Sequence, residues 1–291
     1  MRTCAVLIGA VTTLAVQPMA SPVTGDRVDA ADTTLARARQ YVAQFESTFS
    51  AVMWRERYVQ EDHVLRMPRA FGAPFERLAG RRETESDILL LWIPRDTNWI
   101  AVRDVLTVDG APPPGHARSL DATLARPDIS VEDLRTLAAE NARFNIGRIV
   151  HTFSEPTLAL LFLSEWDRGR FAFKRRGDTR IDARRTVVYD FSERSRPTIV
   201  RDEGRDIPAR GSIWIDPETG EILQTFLELN DRHTRVKGSL TVRYGPYAGF
   251  DVLVPLEMRE KYTAEAGEEV RTVATYGNFR KFQTAARIIH K

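Results

Sequence analysis

The sequence predicts an α+β fold: one large antiparallel sheet, an N-terminal helix and an inserted helical segment. Three patterns carry that expectation. From Arg170 almost to the end, apolar residues recur at every second position in short runs, the period of a strand with one covered face. Turn residues separate the runs, and such short connections make neighbouring strands antiparallel. Near the start, one stretch instead repeats apolar residues at steps of three and four, the spacing of a helix face.

Composition agrees with a globular chain. The 291 residues are 43% hydrophobic and 28% charged, with a formal charge of +2, enough apolar material for a core. So small a net charge argues against a nucleic-acid binder. Of the 42 basic residues only Lys174, Lys237, Lys261, Lys281 and Lys291 are lysines. The arginine bias is the mark of a GC-rich genome.

Residues 1–20 (MRTCAVLIGAVTTLAVQPMA) pair Arg2 with an apolar run and end on the small residue Ala20. This reads as a cleaved secretory signal peptide, too short for a membrane span, so the mature protein is expected in the periplasm or secreted. Cys4, the only cysteine, precedes the apolar run and cannot be a lipid-attachment site. The mature chain then has no disulfide and no thiolate chemistry. Residues 21–32 form a polar linker, and residues 33–291 are expected as a single domain. No later stretch approaches 18 consecutive apolar residues, so no transmembrane segment is expected.

Leu35, Ala38, Val42, Phe45, Phe49 and Val52 form one helical stripe, with Asp32 or Thr33 as cap. Met53 to Val64 reads as a strand and Met67 to Gly80 as a loop. Asp87 to Ile93 is apolar on both faces, as in a strand covered on both sides, and Trp99 to Asp109 follows a Pro94-Arg95-Asp96 turn. Pro112, Pro113, Pro114 and Gly115 stop the sheet and open the insertion, about 112–166. Within it Ser130 and Asp133 make a capping-box-like helix start. Thr157 to Leu163 is a buried helix or strand, with Pro156 favouring helix. Asp216-Pro217-Glu218-Thr219-Gly220 fits a type I turn closed by a left-handed glycine.

The motifs of common chemistries are absent. There is no G-x-S-x-G, no G-x-G-x-x-G, no G-x-x-x-x-G-K and no H-E-x-x-H. Glu61 and His63 can share a strand face, but two ligands do not make a metal site. Asp104 and Asp109 bracket a strand and are the best placed carboxylates for hydrolysis, although turn and edge roles suit them better. Neither enzyme, metal nor cofactor is implied. The stretch from Arg168 to Arg185 is basic and reads first as a solvated face; Arg175, Arg176 and Arg180 are candidates for contact with an anionic headgroup or an acidic protein.

Three segments carry a resemblance: Ile213-Trp214-Ile215-Asp216-Pro217-Glu218-Thr219-Gly220, Val254-Pro255-Leu256-Glu257-Met258, and Ala274-Thr275-Tyr276-Gly277-Asn278-Phe279. They resemble the turn and strand signatures of the LolA/LolB-like, lipoprotein-carrier superfamily over residues 170–282. Val102-Arg103-Asp104-Val105, Val108-Asp109-Gly110, Arg143 to Gly147 and Pro156 to Leu163 resemble a group of exported bacterial proteins of that fold. The resemblance implies an incomplete β-barrel whose concave face is covered by the helix and the insertion. It also implies a non-enzymatic carrier of a lipid, acyl chain or lipidated protein. The lining expected from the apolar surplus is Trp92, Trp99, Leu161, Phe162, Trp166, Phe171 and Phe173. The rivals are an envelope interaction or sensor domain with a filled core and, further off, an envelope hydrolase.

Overall fold

Helix α1 (Thr33–Phe49) turns Leu35, Ala38, Tyr41, Val42, Phe45 and Phe49 into the core, as the stripe requires. It ends one step before the stripe does: Val52 opens the first strand, where its β-branched side chain is at ease. The computed structural model describes residues 33–66, 75–93, 98–113, 120–126, 130, 132–134, 136–137, 142–149, 155–167, 169–202, 204–265 and 267–281. The expected signal peptide, the linker and the Pro94-Arg95-Asp96 turn lie outside them.

The strands are β1 (Ala51–Arg66), β2 (Phe75–Ile93), β3 (Asn98–Val108), β4 (Phe171–Ile181), β5 (Arg184–Glu193), β6 (Arg201–Asp202), β7 (Arg205–Asp206), β8 (Ala209–Ile215), β9 (Ile222–Asp231), β10 (Val236–Gly245), β11 (Val254–Ala264) and β12 (Glu268–Lys281). Ten of them form one antiparallel sheet, ordered β3-β2-β1-β12-β11-β10-β9-β8-β5-β4, and β6 with β7 forms a separate ribbon. The sheet does not close: β3 and β4 are its two edges. The inserted segment is the connection between those edges. α1 packs against β1, β2 and β8 together, strands from both halves of the order, because the sheet curls around it.

Pairing of β1 with both β2 and β12 sets the first and last strands side by side inside the sheet. β2 begins at Phe75, inside the stretch expected to be a loop. Within that stretch Glu76 meets His63 on β1 and Arg271 on β12, and that cross-strand pairing overrides a composition that reads as loop.

Alternation sorts the residues. Val52, Trp54, Glu56, Tyr58 and Gln60 face the concave side, while Met53 faces outward. Ile88, Leu89, Leu90 and Leu91 are all buried, so this part of β2 is covered on both faces. Asp104, paired with Asp87 on the outer face, accepts a hydrogen bond from the Leu120 backbone N–H at 2.6 Å. The short helix Leu120–Leu124 thus starts on the outer side, while residues 144–146 reach the concave side at Gln60. Ser130 and Asp133 form the expected reciprocal cap, with Ser130 N–H and Oγ donating to Asp133 and Asp133 N–H donating back. Those bonds hold the Asp133 carboxyl down at about 2.

Candidate functional site

At the β4 end of the sheet the concave face is aromatic. Register places Phe173 opposite Phe191 and puts Phe171 on the same side. Over them lies the four-residue helix Leu158–Leu161, which resolves the helix-or-strand question for Thr157 to Leu163. The Phe162 ring stacks on Phe171 with centroids 4.3 Å apart and meets Phe191 edge-on at 5.5 Å. Phe173 is half-buried, with the Arg39 guanidinium 5.9 Å above its ring. Gly211 makes room for this cluster: a Cβ there would lie 2.8 Å from Phe191 Cζ and 1.9 Å from the Phe226 carbonyl oxygen.

Three of the seven expected lining residues, Phe162, Phe171 and Phe173, meet here; Leu161 is buried but stands outside this core cluster. Trp92 and Trp99 are backbone partners on β2 and β3, at the other end of the strand order. Their side chains and that of Trp166 lie outside the described residues.

The cover over the concave face is held by polar ties. Tyr244 Oη donates to the Pro156 carbonyl at 2.6 Å and lies 3.2 Å from Thr225 Oγ1. Burial pushes the Tyr244 phenol far above its ordinary range, which keeps it a donor. Leu253 N–H donates to Tyr41 Oη at 3.0 Å, and Arg37 donates to the Pro217 carbonyl at 2.6 Å. Gly220 closes the 216–220 turn with φ +80°, and a Cβ there would come 2.5 Å from the Arg37 backbone. That turn is therefore both a hairpin end and the seat of α1.

Toward β1, β12 and β11 the concave face becomes polar. Glu56, fully buried, receives Arg103 Nε at 2.6 Å and Nη2 at 3.0 Å. Burial alone would lower the Arg103 guanidinium, but the Glu56 charge and its hydrogen bonds hold it raised. Glu260 accepts from Tyr58 at 2.5 Å, Thr272 at 2.5 Å and Tyr262 at 3.1 Å. Gln60 joins the insertion, donating to the Phe144 carbonyl and accepting from Ile146 N–H. Glu155 accepts from Thr157 N–H and Oγ1, and burial pushes its carboxyl up. Ser86 Oγ and Trp54 Nε1 are buried with no hydrogen-bond partner among the described residues. Sequence reading missed this cluster. Its signal was present, since Glu56 and Glu260 occupy the inward phase of Trp54-x-Glu56-x-Tyr58 and Met258-x-Glu260-x-Tyr262.

The charged candidates have local duties. Asp104 holds Leu120 and Asp109 accepts from Glu83 N–H at 2.8 Å, the edge and turn roles. His63 Nε2 is 3.2 Å from Glu61 and Nδ1 is 2.6 Å from Glu76. Among the described residues no group of three or more His, Cys, Asp or Glu is arranged to hold a metal ion. Arg176 pairs with Asp190 at 2.6 Å, Arg175 with Asp178, and Arg180 donates to the Ala183 carbonyl. No helix of the described residues is long and apolar enough to cross a membrane.

Fold and site together define a half-open antiparallel sheet wrapped on one helix, with an aromatic end and a polar end on its concave face. No protein-family model and no curated protein matches the sequence. Among solved structures, the chain is similar to a LolA superfamily protein from Nitrosomonas europaea, at 12% identity over 90% of this chain and 97% of that one, TM-score 0.34. A DUF1329 family protein from Desulfovibrio piger matches at 12% identity over 86% of this chain and 94% of that one, TM-score 0.34. The MucA/MucB complex structure from Pseudomonas aeruginosa matches at 11% identity over 89% and 97%, TM-score 0.21.

Proposed function

We propose that the chain is an exported, non-enzymatic binding protein that accommodates an acyl chain or comparable apolar group, free or on a lipidated protein, against its concave face. The observation behind this is the meeting of Phe162, Phe171 and Phe173 at the end of a helix only four residues long. In this reading Trp92, Trp99 and Trp166 extend the lining, and the signal peptide is removed on export. An entering chain must part Phe162 from Phe171, a stacking contact worth ~0.5–1.5 kcal/mol. Burying about two methylenes offsets that, at ~0.8 kcal/mol each. The deciding experiment is organic extraction and mass spectrometry of protein purified without detergent. A stoichiometric acyl-bearing molecule supports the reading, and a blank removes it.

The second reading is an envelope interaction or sensor domain with a filled core. It is favoured by the direct ring contacts at 4.3 Å and by the Arg103–Glu56 pair occupying the other end of the concave face. A blank extraction together with salt-sensitive binding to a partner protein is its expected signature.

A further inference from the structure

We propose that the free edge of β4 docks an extended, acidic segment of another protein by strand addition. β4 is a terminal strand whose sheet partner is β5. The Arg194 N–H to Arg170 carbonyl bond at 2.9 Å sets the phase of that pairing: residues 170, 172 and 174 direct their backbone groups to β5. The N–H and C=O groups of Phe171 and Phe173 therefore point to the open edge, two residues apart, as a ladder requires, up to the register shift between Arg175 and Gly177. No hydrogen-bond partner takes them among the described residues. An incoming strand would satisfy them in the manner of β-augmentation.

The charges choose the occupant. β4 carries Lys174, Arg175, Arg176 and Arg180 against Asp178 alone. Asp178 is shared by Arg175 and Arg185, so one carboxylate serves two guanidinium groups, which hold its carboxyl below the ordinary range. Lys174 lies opposite Asp190, whose carboxyl Arg176 also engages, so that carboxylate too is shared between two cations. The side chains of Arg176 and Asp190 are 56% and 43% exposed, and so exposed a pair gives way to a competing carboxylate at little cost. A second copy of β4 would set these cations against each other. An acidic strand would interleave with them, which gives specificity as well as encounter rate.

This inference does not depend on the acyl-binding reading, since the edge lies outside the concave face. The test is fluorescence anisotropy with a labelled extended peptide alternating Glu and Val, against its Lys and Val counterpart. Saturable binding of the acidic peptide, weakening with salt, is expected, with none for the basic one. Lys174→Glu with Arg180→Glu should weaken binding about tenfold, the loss of two exposed pairs. Phe173→Pro should abolish it, because it removes an edge N–H in the regular part of the strand and no ladder bond to β5. Circular dichroism checks the fold, and the exposed charge-reversal pair keeps the test sound if the proline variant misfolds. Absence of acidic-peptide binding, equal binding of the basic peptide, or an unaffected charge-reversal variant overturns the proposal. So does binding to phosphatidylglycerol vesicles with no response to the peptide.

Discussion

Arg103 on β3 reaches across the intervening strand β2 to grip Glu56 on β1 with two hydrogen bonds, at 2.6 and 3.0 Å. The carboxylate is fully buried and the guanidinium partly so. A pair of this kind contributes less through its own attraction than through the penalty of breaking it. Arg103→Met should therefore cost ~3–5 kcal/mol in urea unfolding, because it strands a buried charge. Adding Glu56→Leu should recover most of that loss. Additive losses in the double variant would show that the two side chains act separately.

Glu155 makes stability pH-dependent. Burial raises its carboxyl above the ordinary value of 4.5, against the Thr157 hydrogen bonds. A raised acid favours folding fully below its unfolded pKa and loses that contribution as pH climbs toward the folded value. Glu155→Gln keeps an acceptor for Thr157 without the ionisation. Its melting temperature should exceed that of the parent at pH 7.5 and converge with it below about pH 4. Parallel curves across that range would assign the pH dependence to other groups.

Gly220 should tolerate no side chain. Alanine would place a Cβ 2.5 Å from the Arg37 backbone and hold a left-handed φ of +80°. The strain and the clash together predict a loss of ~2–4 kcal/mol. Gly249 has a similar φ with nothing within 4 Å, so its alanine variant should lose only ~1 kcal/mol. Chemical denaturation of the two variants separates steric exclusion from backbone preference.

Tyr244→Phe should loosen the cover. The Pro156 carbonyl would lose its donor at 2.6 Å, a cost of ~1–3 kcal/mol if it stays dry. Hydrogen exchange should quicken at Leu160 and Leu161, whose N–H groups bond to the Thr157 carbonyl just beyond Pro156. Unchanged exchange there would mean that the aromatic stack beneath holds the short helix unaided.

Phe162→Ala should cost ~3–5 kcal/mol, since its ring lies against both Phe171 and Phe191. Phe162→Leu should be milder and, under the acyl-binding reading, should retain ligand. Mass spectrometry of both variants distinguishes a lining from a plain core.

Much of the fold was legible because it is local. The α1 stripe, the Ser130–Asp133 cap, the Asp216–Gly220 turn and the doubly covered Ile88–Leu91 run each depend on residues close in sequence. Val52 was misread because a helix stripe and the inward phase of the strand after it point the same way. Phe75 to Gly80 was misread because its Glu76 is matched by His63 and Arg271 on other strands. The inward phase of Glu56 and Glu260 was readable, but their pairing with Arg103 and Tyr58 was not, since those partners lie 47 and 202 positions away.

By itself the sequence determined the alternation, the helix stripe and the turns, for these follow from the covalent geometry of neighbouring residues. From them came the α+β class, the large antiparallel sheet and the candidate aromatic lining. Only the tertiary structure decided how the ten strands are ordered, with β1 beside β12 and with β3 and β4 left as edges. It alone brought Phe162 onto Phe171 and Arg103 onto Glu56. The reason is physical: strand order and side-chain contact are set by which surfaces bury one another across the whole chain, and no local pattern records that choice.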